Sequence, residues 1–131
     1  MNAPLFLDVQ EVIEIHGDQI DQHGGIHGIR DPGSLESAVV AAEFAACHES
    51  EDLFWLAATY MVHLIQNHPF LDGNKRTGVK AALVFLVLNG IQLKRDTKAL
   101  RQLEDLAVAV AARQAGKEKI AEFLRRWLTG K

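Results

Sequence analysis

Apolar positions recur every three or four residues along almost the whole chain, the spacing of one face of an α-helix. Val9, Val12, Ile13, His16 and Ile20 follow it, and Asp8 with Glu11 three residues on makes a capping pattern, so a helix is predicted over about residues 9–22. The glycine-rich stretch His23-Gly24-Gly25-Ile26-His27-Gly28 interrupts it. Arg30-Asp31-Pro32-Gly33 then reads as a turn, and Ser34 as the cap of a short helix carrying Leu35, Ala38, Val39 and Ala42 on one face. A longer stripe of Leu53, Leu56, Ala57, Tyr60, Met61, Leu64 and Ile65 predicts a helix over 51–67. His68-Pro69 ends it, because proline disfavours the α conformation in the residue before it. Residues 75–88 are apolar on most sides and stop at Asn89-Gly90, which marks them as a central, buried helix. Two further helices are predicted over 97–114 and 117–128, separated by Gly116. The expectation is an all-α fold: a single domain over 1–131, built as a compact bundle of about six helices around a buried central one.

Composition narrows the setting. The 131 residues are 48% hydrophobic and 24% charged, which favours one packed domain over a disordered chain. The longest apolar run, 81–88, is far short of the roughly 20 residues a membrane span needs, so no membrane association is expected. Met1-Asn2-Ala3-Pro4 lacks the charged and apolar regions of a secretory signal. The single cysteine, Cys47, can form no internal disulfide and no cysteine-rich metal site, and is expected to be a small buried side chain. These features predict a cytoplasmic protein.

Charge is unevenly placed. Residues 1–90 carry four basic side chains against twelve acidic ones, whereas 91–131 carry ten against five. A basic C-terminal third can serve a nucleic acid or an acidic partner. Here Lys94, Arg95, Lys98, Arg101 and Lys117 alternate with acids and apolar positions, the pattern of a solvated helix surface, and direct nucleic-acid binding is not expected. Between residues 31 and 79 the only basic residues are the adjacent Lys75 and Arg76, a candidate anion site.

That pair belongs to the most informative segment, His68-Pro69-Phe70-Leu71-Asp72-Gly73-Asn74-Lys75-Arg76-Thr77-Gly78. A glycine-containing turn feeding a helix presents free backbone N–H groups and the positive end of the helix dipole. Lys75 and Arg76 in the first turn oppose that dipole, a placement easier to understand if an anion offsets it. Asp72 offers the hard oxygen that Mg²⁺ uses when it also binds phosphates. Imidazole titrates near neutral pH, which suits a histidine such as His68 to accept a hydroxyl proton. The remaining histidines, His16, His23, His27, His48 and His63, have no metal-ligand spacing and read as core or surface residues.

The segment resembles the signature of the Fic/Doc (Fido) superfamily, H-x-F-x-[DE]-[GA]-N-[GK]-R, with every constrained position met. Gly28-Ile29-Arg30-Asp31-Pro32-Gly33-Ser34 is similar to a segment of its death-on-curing (Doc) toxin branch. The resemblance implies that His68 deprotonates an acceptor hydroxyl, Asp72 holds Mg²⁺, Gly73 and Asn74 form the phosphate-binding turn, and Lys75 and Arg76 neutralise phosphate charge. It further implies that Phe70 anchors the loop and that Gly28, Arg30, Asp31 and Gly33 belong to a flap that positions a target segment. Adenylylating Fic enzymes usually carry glycine where this chain has Lys75, and a second arginine where it has Val79. Lysine at position 75 resembles the Doc branch, which implies transfer of the γ-phosphoryl group of ATP to a threonine or serine of elongation factor Tu. The branch also implies a partner antitoxin of the prevent-host-death (Phd) type. Self-restraining Fic proteins carry [ST]-x-x-x-E-[GN], and no glutamate here is followed by Gly or Asn. Two alternatives stay open on the sequence: AMP transfer by the same site, and a non-catalytic binding module that uses the basic C-terminal third.

Overall fold

The computed structural model describes residues 3–131, and Met1 and Asn2 of the N-terminal segment lie outside them. Six helices follow one another: α1 (Val9–His23), α2 (Pro32–His48), α3 (Leu53–Asn67), α4 (Asn74–Leu88), α5 (Thr97–Ala111) and α6 (Lys117–Thr129). The only β-type pairing among the described residues is an isolated antiparallel bridge between Ile29 and Phe70. None of the helices is long and apolar enough to cross a membrane. Asp8 and Glu11 close the predicted capping box on α1, at 2.8 and 3.0 Å.

Two local expectations need correction. The segment 30–33 is not a free turn followed by a short helix capped at Ser34. Asp31 is the cap, its carboxylate accepting from the N–H groups of Gly33 and Ser34 and from the Ser34 hydroxyl. Pro32 at the first helical position has its φ already set for a helix, so the earlier cap prevails and α2 runs 17 residues. The Ser34 hydroxyl and the backbone bonds of Ser34 and Gly33 hold the Asp31 carboxyl below the usual carboxylate range. Cys47 is exposed rather than buried, because it follows Ala45, the last core residue of α2.

The centre of the bundle is a pair of helices. α3 packs against α2, α4, α5 and α6, and is buried almost continuously from Leu56 to Ile65. α4, expected to be the central, buried helix, packs against α1, α3 and α5, and leaves Lys75, Arg76 and Lys80 exposed. Tyr60, Phe85, Leu56, Met61, Leu64 and Leu86 are among the fully enclosed side chains of this core. The two axes approach closely at Gly78, where an added Cβ would lie 2.8 Å from Ile65 Cγ1 and 3.1 Å from the Met61 carbonyl oxygen. Side chains at Ile65 can turn aside, but the Met61 backbone is held inside α3.

Replacing Gly78 with alanine therefore sets two effects against each other. Helix propensity gains about 1 kcal/mol, while overpacking against a rigid backbone costs about 1–3 kcal/mol. Net destabilisation of Gly78→Ala in urea unfolding is the expected result. A second expectation concerns His63 on α3, half-buried near Lys117 and Glu49. Burial, and then the Lys117 charge, lower its pKa from 6.5. As pH falls below 6.5 the unfolded chain takes up this proton before the folded one does, so stability decreases toward acid. A His63→Gln variant should show a shallower acid-side loss in a series of melts across pH 7.5 to 5.

Candidate functional site

The signature segment forms the joint between the two central helices. α3 ends at Asn67, and His68 takes a left-handed conformation (φ 53°, ψ 52°) that turns the chain sharply into Pro69. Few non-glycine residues adopt this conformation, although histidine is enriched there. Here it is secured from outside by Arg30, whose Nε donates to the His68 carbonyl at 2.6 Å and whose Nη2 donates to the Asn67 carbonyl at 3.0 Å. A cation at a helix C-terminus meets the negative end of the dipole, so charge and hydrogen bonding agree. Arg30 and Asp31 also donate their backbone N–H groups to Pro69, and Leu71 donates to the Gly28 carbonyl. The segment 28–31 thus lies paired along the signature loop, its position set by backbone bonds.

Inside the loop, Asn74 is 5% exposed and fully occupied. Its Oδ1 accepts from the Phe70 N–H and its Nδ2 donates to the Phe70 carbonyl, both at 3.0 Å. Those two bonds fix which end of the amide is which, and leave Nδ2 to donate to His68 Nδ1 at 3.3 Å. A neutral His68 in this arrangement carries its hydrogen on Nε2. Phe70 is enclosed and stacks on His16 of α1, with ring centroids 3.8 Å apart and planes within 4°. The His16 ring donates from Nε2 to the Asp72 carbonyl at 2.8 Å.

Asp72 itself faces outward. One carboxylate oxygen accepts from the Gly73 N–H at 2.9 Å and the other from the Ile26 N–H at 3.2 Å. The second bond needs the glycine loop to come close: a Cβ on Gly25 would sit 2.7 Å from Asp72 Oδ2. Gly73, at φ 76°, starts α4 in a left-handed turn, and no side chain caps the helix. Its first N–H groups therefore have no capping side chain to donate to. Lys75 and Arg76 form no ion pair among the described residues.

His68, Asp72, Gly73, Asn74, Lys75 and Arg76 line one cavity of about 660 Å³. Gln66 and Arg113, the latter in the α5–α6 turn, also line it. A separate cleft of about 990 Å³, lined by Trp55, Leu106, Lys117 and Phe123, contains none of the predicted residues. The donor set fits a magnesium-bound polyphosphate. No three His, Cys, Asp or Glu side chains meet in a metal-holding cluster among the described residues, whereas Mg²⁺ with a nucleotide needs only one or two carboxylates besides phosphate and water. Each Asp72 oxygen accepts one bond and keeps a lone pair for such an ion.

Of the predicted flap residues, Arg30 and Asp31 act as structural ties, while Gly28, at φ 130°, abuts the Leu71 side chain in a conformation that L residues rarely adopt. Gly33 lies in the first turn of α2, where its N–H is capped by Asp31. Four residues that bear on the site were not singled out by sequence: His16, Gly25, Gln66 and Arg113. Only His16 left a signal, a polar residue on the buried stripe of α1. Three of the ten basic residues of the C-terminal third are ion-paired. Lys117 meets Glu49 at 2.9 Å, Arg125 pairs with Asp52, and Arg126 pairs with Glu122 one turn away on α6.

An all-helical bundle with its exposed polar chemistry gathered on one helix-to-helix joint sets the class. The Fic/DOC family pattern covers residues 6–86, and the chain belongs to that family. It is 36% identical over 118 residues to "Protein kinase doc" of Escherichia phage P1, covering 89% of this chain and 90% of that protein. It is 38% identical over 103 residues to "Toxin Doc" of Mycolicibacterium smegmatis, covering 77% and 78%.

Removing the Asn74 amide strands two buried backbone groups of Phe70. Asn74→Ala should lose about 1–3 kcal/mol of stability. In ¹⁵N spectra of the neutral His68 ring it should also lose the preference for the Nε2–H tautomer that the Asn74 bond imposes in the native arrangement.

Proposed function

We propose that this chain is the toxin of a toxin–antitoxin module and acts as a Doc-type protein kinase, the whole of 1–131 serving as one domain. The reaction is transfer of the γ-phosphoryl group of ATP to a threonine or serine hydroxyl of elongation factor Tu, which arrests translation in the cytoplasm. The observation that carries this reading is the convergence of His68, Asp72, Lys75 and Arg76 on one cavity at the uncapped start of α4. The printed names of the two relatives, one a kinase and one a toxin, support it. A small antitoxin of the Phd type is the partner the reading requires.

In this mechanism His68 takes the acceptor proton as the hydroxyl oxygen bonds to the γ phosphorus and the bond to the β–γ bridging oxygen breaks, leaving ADP. Because Asn74 Nδ2 donates to His68 Nδ1, the ring must first give up that long bond, so that Nδ1 is free or can carry the hydrogen. Lys75 and Arg76 balance charge on the phosphates, and the first N–H groups of α4 orient them. Asp72 holds Mg²⁺, which when bound supplies charge neutralisation at the phosphates. Lysine at position 75, as in the Doc branch, supports phosphoryl over AMP transfer.

Incubation with elongation factor Tu, Mg²⁺ and ATP should add one phosphate to the factor by intact mass. A His68→Ala variant should slow this by about 10²–10⁴-fold, the usual worth of a general base. An AMP-sized increase would replace the kinase reading with adenylylation, and an unmodified factor would remove it as the substrate.

A further inference from the structure

Arg113 occupies an unusual place. α5 ends in a Schellman turn, in which the Arg113 N–H returns to the Val110 carbonyl at 3.0 Å and the Gln114 N–H to Ala109 at 2.8 Å. The residue just past the cap of such a turn adopts a left-handed conformation and is by default glycine. Here it is an arginine, at φ 59°. A side chain kept where the backbone favours none asks for a reason in what that side chain does.

Its surroundings supply one. Arg113 lines the same cavity as His68, Asp72, Lys75 and Arg76. Its Nη1 donates to Gln66 Oε1 at 3.1 Å, and Gln66 in turn donates from Nε2 to the Val110 carbonyl at 3.1 Å. Gln66 is thereby locked with its oxygen toward the guanidinium. It sits on α3 two residues before His68, so Arg113 is tied to the helix end that carries the proposed base. One bond to Gln66 leaves the other guanidinium N–H groups free, and no carboxylate pairs with Arg113 among the described residues. α4 brings no third cation to this wall: Val79 turns into the core and Lys80 does not line the cavity.

We infer that Arg113 grips the phosphate chain of the nucleotide, completing a three-cation cradle with Lys75 and Arg76. The inference rests on the nucleotide reading of this site and adds to it a residue outside the signature. A guanidinium presents two parallel donors to phosphate oxygens, which a lysine at the same position cannot reproduce.

Arg113→Gly tests this without threatening the fold, since glycine relaxes the left-handed turn. Its melting temperature should equal or exceed that of the unaltered protein. Its affinity for Mg²⁺–ATP, measured by titration calorimetry, should fall about tenfold or more, in keeping with loss of a charge-assisted bond. Adenosine, followed by NMR titration, should bind as before, because it has no phosphate. Arg113→Lys should recover only part of the loss. Unchanged ATP affinity in Arg113→Gly would overturn the inference, and so would an equal loss for ATP and adenosine, which would mark a change of loop shape. In both cases ATP binding by the unaltered chain keeps the kinase reading standing. An unaltered chain that binds no ATP would bring both down together.

Discussion

A single buried amide holds the site in shape. Asn74 lies at the first helical position of α4, yet its side chain turns back to satisfy both backbone groups of Phe70 and to reach His68 Nδ1. A polar side chain so enclosed must find partners or destabilise the fold, and here the partners are the loop itself. The consequences spread outward from that clamp. Phe70 is pressed against His16, His16 fixes the Asp72 carbonyl, and Asp72 is left with its carboxylate toward the glycine loop and the cavity. Histidine and carboxylate are thus positioned by separate elements, α3 and α1, that meet at one loop.

The charge distribution follows the same division between structure and site. The acidic first two-thirds and the basic last third are joined by ion pairs from α6 and its leading turn to the region around the start of α3. Arg125 also lies over the Phe54 ring and Lys117 over Trp55. Such exposed or half-exposed pairs contribute little each. They tie two of the ten basic residues of the last third to acids of the first two-thirds. Lys75 and Arg76 remain unpaired at a helix start where the dipole repels them, and that unbalanced positive potential is what an anion would meet.

Much of the fold was legible because it rests on local rules. The apolar stripes located all six helices, Asp8 and Glu11 announced the start of α1, and Asn89-Gly90 marked the end of α4. The misreadings arose where two local signals competed or where burial depended on distant packing. Asp31 and Ser34 are both good caps, and Pro32 decided between them. Cys47 has no local feature that reveals its exposure, since only the packing of α2 against α3 shows which side of α2 ends up outside. The apolar character of residues 75–88 pointed to the centre, which α4 shares with α3, the helix on which more elements converge.

For the site, the sequence by itself determined the chemistry: a contiguous run supplies His68, Asp72, Gly73, Asn74, Lys75 and Arg76, and contiguity brings them close whatever the rest of the chain does. Tertiary structure decided what each group faces. Whether Asn74 points at a ligand or into the loop, and which backbone groups hold Asp72, depend on α1 and the glycine loop packing beside the joint. Gln66 on α3 and Arg113 in the α5–α6 turn, 47 positions apart in the chain, reach the same cavity through a hydrogen bond that no periodicity encodes. Local pattern reports what a residue can do, whereas its partners are chosen by long-range packing, which sequence spacing does not carry.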